Sequence, residues 1–134
     1  MDVIDLVSLK LDEEWPQSRP EARMRNIFAI PPGVAAEAVV YFELDPGGEV
    51  PWHRDSKEEV ILVLEGRIEF EVEGERREAT KDHLLVVPAN ARHRVRNLGD
   101  GRARAVGFFP SGDVVSTFDE PLMPTGQRVF GAPG

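Results

Sequence analysis

The segment IEFEVE, residues 68–73, sets Ile68, Phe70 and Val72 against Glu69, Glu71 and Glu73 in unbroken alternation. A repeat of two residues cannot build one apolar stripe on a helix, but it builds one on a pleated strand, whose successive side chains point to opposite faces. Gly74 follows as a turn. The same punctuated pattern runs through RMRNIFAI (23–30), AEAVVYFEL (36–44), EEVILVLE (58–65), ERREAT (75–80), HLLVVP (83–88), HRVRN (93–97) and RARAVGFFP (102–110). Between these runs lie PPG, DPGG, EG, EGE, PANA and LGDG, whose residues favour turns. No segment between Phe28 and Pro110 carries a helical period. About eight or more short strands at this spacing predict an all-β chain folded as an antiparallel sandwich or jelly-roll barrel.

At 134 residues the chain is expected to form a single domain, 1–134, with a barrel core over about residues 23–110. The segment DEEWPQSRPEA is irregular. Residues 111–134 mix Pro and Gly with Val114, Val115, Phe118, Met123 and Phe130. That content is too apolar for a free tail, so the segment is expected to dock on the barrel or on a second subunit. VILVL, residues 60–64, is apolar on both faces. One face fills the barrel and the other needs cover, which points to a homodimer.

Twenty-four acidic against sixteen basic side chains give a net charge of -8, the wrong sign for nucleic acid or an anionic membrane as partner and the right one for a cation. The absence of cysteine excludes disulfides, thiolate metal sites and cysteine nucleophiles. MDVIDLVSLK has neither the basic nor the apolar region of a signal peptide, and no apolar run approaches membrane-spanning length. A soluble, cytoplasmic protein is expected.

Against this background GGEVPWHRDSKEEVILVLEG, residues 47–66, stands out, because it places His53, Asp55 and Glu59 immediately before an apolar strand. In an extended chain His53 and Asp55 share a face. A bend around Ser56 and Lys57 would return Glu59 to that face on the next strand. His93 opens a further strand after the PANA turn. Two imidazoles and a carboxylate meeting on neighbouring strands make a site for a divalent transition metal with open coordination positions.

At these residues the chain resembles the cupin family. The first motif of that family reads here as Gly47, five residues, His53-Arg54-Asp55, three residues, Glu59, six residues and Gly66. Asp55 replaces the second histidine. The second motif reads as Asp82, five residues, Pro88-Ala89-Asn90, two residues, His93, three residues and Asn97. Asp82 and Asn90 replace glycines, and Asp and Asn are the side chains that best tolerate left-handed backbone. The resemblance implies a double-stranded β-helix (cupin jelly-roll) barrel, often dimeric, with a metal such as Fe, Mn, Ni or Zn in its mouth. It places His53, Glu59 and His93 at ligand positions. Asp55 stands at the fourth with a shorter side chain: it either ligates through oxygen, or falls short and leaves His53, Glu59 and His93 as the ligand triad.

For the remaining polar and aromatic residues plainer roles are expected. His83 falls outside both ligand sets and reads as surface or structural. Glu69, Glu71 and Glu73 read as a solvated face. Tyr41, Phe42, Trp52, Phe108 and Phe109 read as core or pocket lining. Such a barrel hosts many chemistries. The expected function is a metal-dependent enzyme of dioxygenase, isomerase or lyase type acting on a small organic molecule, with Glu59 or Asp55 as the proton acceptor. The alternative is a non-catalytic barrel that binds or senses a small molecule.

Overall fold

The computed structural model describes residues 3, 5–8, 39–111, 113–122 and 126–131, and these contain strands and turns but no helix. In chain order the strands are β1 (Val39–Leu44), β2 (Glu49–Asp55), β3 (Glu59–Glu65), β4 (Ile68–Val72), β5 (Glu75–Ala79), β6 (Leu84–Val87), β7 (His93–Asn97), β8 (Ala103–Phe108), β9 (Val115–Leu122) and β10 (Gln127–Gly131). They form two antiparallel sheets, ordered β1-β8-β3-β6 and β10-β9-β2-β7-β4-β5. No ladder joins the two sheets among the described residues, so the jelly roll is open at its seams. The expected strand RMRNIFAI and the irregular DEEWPQSRPEA segment lie outside the described residues.

Alternation decides what each strand buries. Ile68 and Phe70 of β4, Ile61 and Val63 of β3, Phe42 and Leu44 of β1, and Val95 of β7 turn inward and form one cluster with Val50 and Phe118. Each such side chain contributes about 1.5–3 kcal/mol by leaving water. Truncating the fully buried Phe70 to alanine would cost about 3–5 kcal/mol, because the transfer free energy is lost and a cavity remains. The solvent face of the larger sheet is equally regular: Glu69 and Glu71 on β4 lie opposite Arg96 and Arg94 on β7 and pair with them. These glutamates, read from sequence as merely solvated, are half of a cross-strand charge ladder.

Turn chemistry behaves as the residues dictate. Asp82 and Asn90, which replace glycines of the two-motif pattern, adopt φ of 73° and 63°. The left-handed turns are kept without glycine. Gly66 has φ of 91°, and a Cβ there would stand 2.8 Å from the Ala103 backbone, so the β3–β4 turn needs glycine on both counts.

Three features of this fold place the site. Between Val50 and His53 the register of β2 against β7 slips by one residue, at Pro51 and Trp52, and this bulge puts His53 opposite His93. The PANA turn is tied to the end of β2: the Asn90 amide donates to the Asp55 carbonyl at 2.7 Å, and the Arg54 guanidinium donates to the Asn90 carbonyl at 2.9 Å. The segment 111–134, expected from sequence only to dock, contains β9 and β10, which pair as a hairpin, and β9 pairs with the free side of β2, setting Phe118 against His53 and Ser116 against Asp55.

Candidate metal centre

His53 and Asp55 lie two apart on β2, and both are buried on its inner face, as an extended strand requires. His93 opens β7 directly across from His53 and is 1% exposed. One ligand atom from each of these three side chains falls within 4.8 Å of the others. The rings of His53 and His93 stand 4.0 Å apart, and Phe118 stacks on His53 at 4.7 Å.

The backbone fixes which nitrogen of each imidazole faces the cluster. His53 Nδ1 bonds to the Pro51 carbonyl at 2.7 Å, and His93 Nδ1 bonds to the Ala91 carbonyl at 2.8 Å. A carbonyl only accepts, so both Nδ1 atoms carry the proton and, in the neutral ring, both Nε2 atoms present bare lone pairs. Nε2 of His93 lies 3.3 Å from Oδ2 of Asp55, and Nε2 of His53 lies 3.6 Å from the same oxygen. Nε2 of His93 is buried without a hydrogen-bond partner. Three acceptors therefore converge with no donor among them, which a proton or a metal ion would resolve. Imidazoles oriented by an Nδ1–H bond to a carbonyl are the usual way in which proteins aim histidine at a metal. The donor set fits a divalent transition metal.

Asp55 is set up as an anion. Burial opposes its charge, but a cation shared with the His53 and His93 rings, whether a proton or a metal ion, and a hydrogen bond donated by the Ser116 hydroxyl outweigh that cost, and the carboxyl is then held well below the usual carboxylate range.

Glu59 is placed differently. The bend at Ser56 and Lys57 does not lay the chain beside β2, because β7 and β9 already occupy both edges of that strand. It carries the chain across to the other sheet, so that Glu59 opens β3, pairs with Val87 of β6 and is 6% exposed. Its carboxyl is outside the group formed by His53, Asp55 and His93. Burial, and then the negative charge of Asp55, push it well above the usual carboxylate range. The site thus sets a carboxyl whose ionised form is favoured on one sheet against a carboxyl whose neutral form is favoured by burial on the other.

The other candidate residues have other partners. Trp52 lies under the guanidinium groups of Arg92, 4.0 Å from the ring centre, and Arg94 on the outer face. Tyr41 is fully buried, donates to Glu43 Oε2 at 2.7 Å and accepts from Arg104 at 2.7 Å. Phe42 is core, and Phe108 is 44% exposed. His83 is exposed and accepts from the Thr80 amide at 2.9 Å, closing the turn before β6. Ser116 and Phe118, which touch Asp55 and His53, carry no signal in the sequence. They reach the site through the pairing of β9 with β2.

The Cupin domain family model matches residues 40–109. Polyketide synthase CurC of Streptomyces cyaneus is 40% identical over 62 residues, which are 46% of this chain and 40% of that protein. The chain therefore spans well under two thirds of this relative. Among solved structures, recombinant oxalate oxidase in complex with glycolate matches with a TM-score of 0.57 at 22% identity, over 60% of this chain and 44% of that one. Lactobacillus farciminis oxalate decarboxylase, in its formate complex, matches at 0.53 and 22%, over 55% and 23% of the two chains. A cupin-like protein from Thermotoga maritima matches at 0.50 and 21%, over 53% and 54%. At these identities the structures show a common fold.

Proposed function

The chain belongs to the cupin family, and on that footing we propose that it is a metal-dependent enzyme whose ion is held by His53, Asp55 and His93, with Glu59 handling a proton of the bound substrate. The observation that carries this reading is the pair of Nδ1–carbonyl bonds, which leaves both Nε2 atoms and Asp55 Oδ2 turned on one another. Two imidazoles and one carboxylate are also the donor set of ferrous oxygenases, so iron or manganese is the first choice, with nickel and zinc as competitors. When bound, such an ion supplies Lewis-acid polarisation of a substrate oxygen or a redox centre.

The rest is the work of the chain itself. Ser116 holds the Asp55 carboxylate, the bulge in β2 and the PANA turn hold the two imidazoles opposite each other, and Phe118 shields the His53 ring. Glu59, on the facing sheet and neutral through burial, is suited to give a proton to substrate and take it back. The sequence expectation that Glu59 is itself a ligand is replaced in this proposal by that role, because its carboxyl is outside the ligand group. For the substrate we propose a small oxygen-rich organic molecule. The relative named for polyketide synthesis and the fold shared with oxalate oxidase support that class, and diketones, phenols and small acids represent it.

The test is a screen of these compounds on protein reconstituted with iron or manganese, read as oxygen uptake and substrate loss. Turnover that disappears in Glu59→Gln supports the enzyme. Saturable binding without turnover supports the binding-barrel alternative. We propose also that the chain is a homodimer. Leu84 and Val86 of the edge strand β6 are 66% and 59% exposed, and Val60 of β3, flanked by Val86 and Phe108, extends the apolar surface across the sheet.

A further inference from the structure

Along the inner face of β8 the side chains shrink: Ala103, Ala105, then Gly107. Gly107 has no positive φ, so its backbone does not require glycine. What the missing side chain leaves room for is the Glu59 carboxyl. A Cβ at this position would overlap Oε2 of Glu59 and would stand 3.0 Å from its Cδ and 3.4 Å from its Cγ. By contrast, a Cβ on Gly74, Gly101 or Gly126 would meet nothing within 4 Å. The Glu59 side chain thus lies folded over the bare Cα of Gly107, in a slot that exists only because residue 107 has no side chain.

From this we infer that Gly107 is a positioning residue: its slot draws the Glu59 carboxyl onto β8 and away from His53, Asp55 and His93, so that it stands beside the metal as a free carboxyl. The inference rests on the metal-site reading above. Its physical basis is twofold. The slot gives the Glu59 carboxyl a place in a close-packed interior where any larger residue would exclude it. It also separates two carboxyl groups that would otherwise crowd one ion, and so divides them into one that binds and one that stays available for proton transfer. The Glu59 oxygens are the far end of a flexible side chain, so a methyl group at 107 would push them out of the slot rather than block folding outright.

The experiment is a double-mutant cycle of Gly107→Ala and Glu59→Ala, with Glu59→Asp as the rescuing variant, read in two ways. Melting temperature of the metal-stripped protein reads the slot itself. Gly107→Ala should lower it when Glu59 is present and leave it nearly unchanged when residue 59 is alanine, and Glu59→Asp, one methylene shorter, should restore most of the loss. Manganese affinity by titration calorimetry reads the consequence. Gly107→Ala should tighten manganese binding by about fivefold or more in the Glu59 background and by less than about twofold in the Glu59→Ala background. Should Gly107→Ala fail to fold, recovery of folding by Glu59→Asp supports the slot, and failure to recover overturns it. Equal effects of Gly107→Ala in both backgrounds, or none in either, would overturn the slot. Weaker manganese binding that depends on Glu59 would overturn the separation of roles, because it would make Glu59 a ligand in its slot. If wild-type protein takes up no manganese, iron, nickel or zinc, the metal reading fails, while the melting cycle still decides whether Gly107 holds Glu59.

Discussion

Nε2 of His93 approaches Oδ2 of Asp55 to 3.3 Å in a buried site, and the tautomer set by the Ala91 carbonyl leaves that nitrogen no proton to donate. Two facing acceptors repel unless a cation lies between them. Asp55→Asn keeps the size of the side chain and removes its charge. If Asp55 binds the ion directly, this change should weaken metal binding by more than the roughly 10- to 100-fold typical of an outer partner. Competitive titration against a chromophoric chelator measures it.

Stability of the metal-stripped protein should carry two opposite pH signatures. Glu59 has its folded value raised above the ordinary 4.5, so its contribution is fully present below 4.5 and is lost as pH rises through the raised value. Wild type should therefore lose stability relative to Glu59→Gln as pH rises above 4.5 and through that raised value, read as melting temperature against pH. Asp55 is depressed below its ordinary 3.8, so its contribution is present above 3.8 and is lost only as pH falls through the lower folded value. Asp55→Asn should flatten that acid limb. A Glu59→Gln protein that loses stability faster than wild type over the higher range would contradict the assignment.

Tyr41 is the one tyrosine in the chain, so alkaline titration of phenolate absorbance reports it alone. Burial raises it most; the Arg104 bond works against that and Glu43 adds to it, for a net rise to about 12 from the ordinary 10.0. The titration midpoint should fall near about 12. Tyr41→Phe leaves Arg104 and Glu43 without their shared hydroxyl and should cost about 1–3 kcal/mol in denaturant unfolding.

The homodimer makes its own prediction. Lysine at Leu84 and Val86 together should convert dimer to monomer in light scattering while leaving the fold, read by circular dichroism, intact. These side chains contribute nothing to the buried cluster. A wild-type monomer at micromolar concentration would defeat the proposal.

Much of this was legible in the residues. The alternation in IEFEVE, the turns, and the shared face of His53 and Asp55 follow from period two alone. Other features are tertiary. Asp55 meets Ser116 because β9 pairs with β2 across 61 intervening steps of sequence, and nothing local marks that serine. The bulge has only Pro51 as a sign. Glu59 read as returning on the next strand, and it does open β3; a bend names a reversal and not a destination, so only the occupied edges of β2 reveal that β3 lies in the facing sheet. The meaning of Gly107 on β8 depends on Glu59, five strands earlier on β3, and only packing reveals it.

The central claim is that His53, Asp55 and His93 hold a transition metal. Elemental analysis of protein purified without chelator or nickel resin, then reconstituted with iron, manganese, nickel or zinc, tests it most directly in wild type and in the His53→Ala, Asp55→Ala and His93→Ala variants. The account predicts about one ion per wild-type chain and less than about a tenth of that in each variant, since removing any one ligand leaves only two. Wild type that retains no ion after reconstitution, or three variants with undiminished metal content, would contradict it.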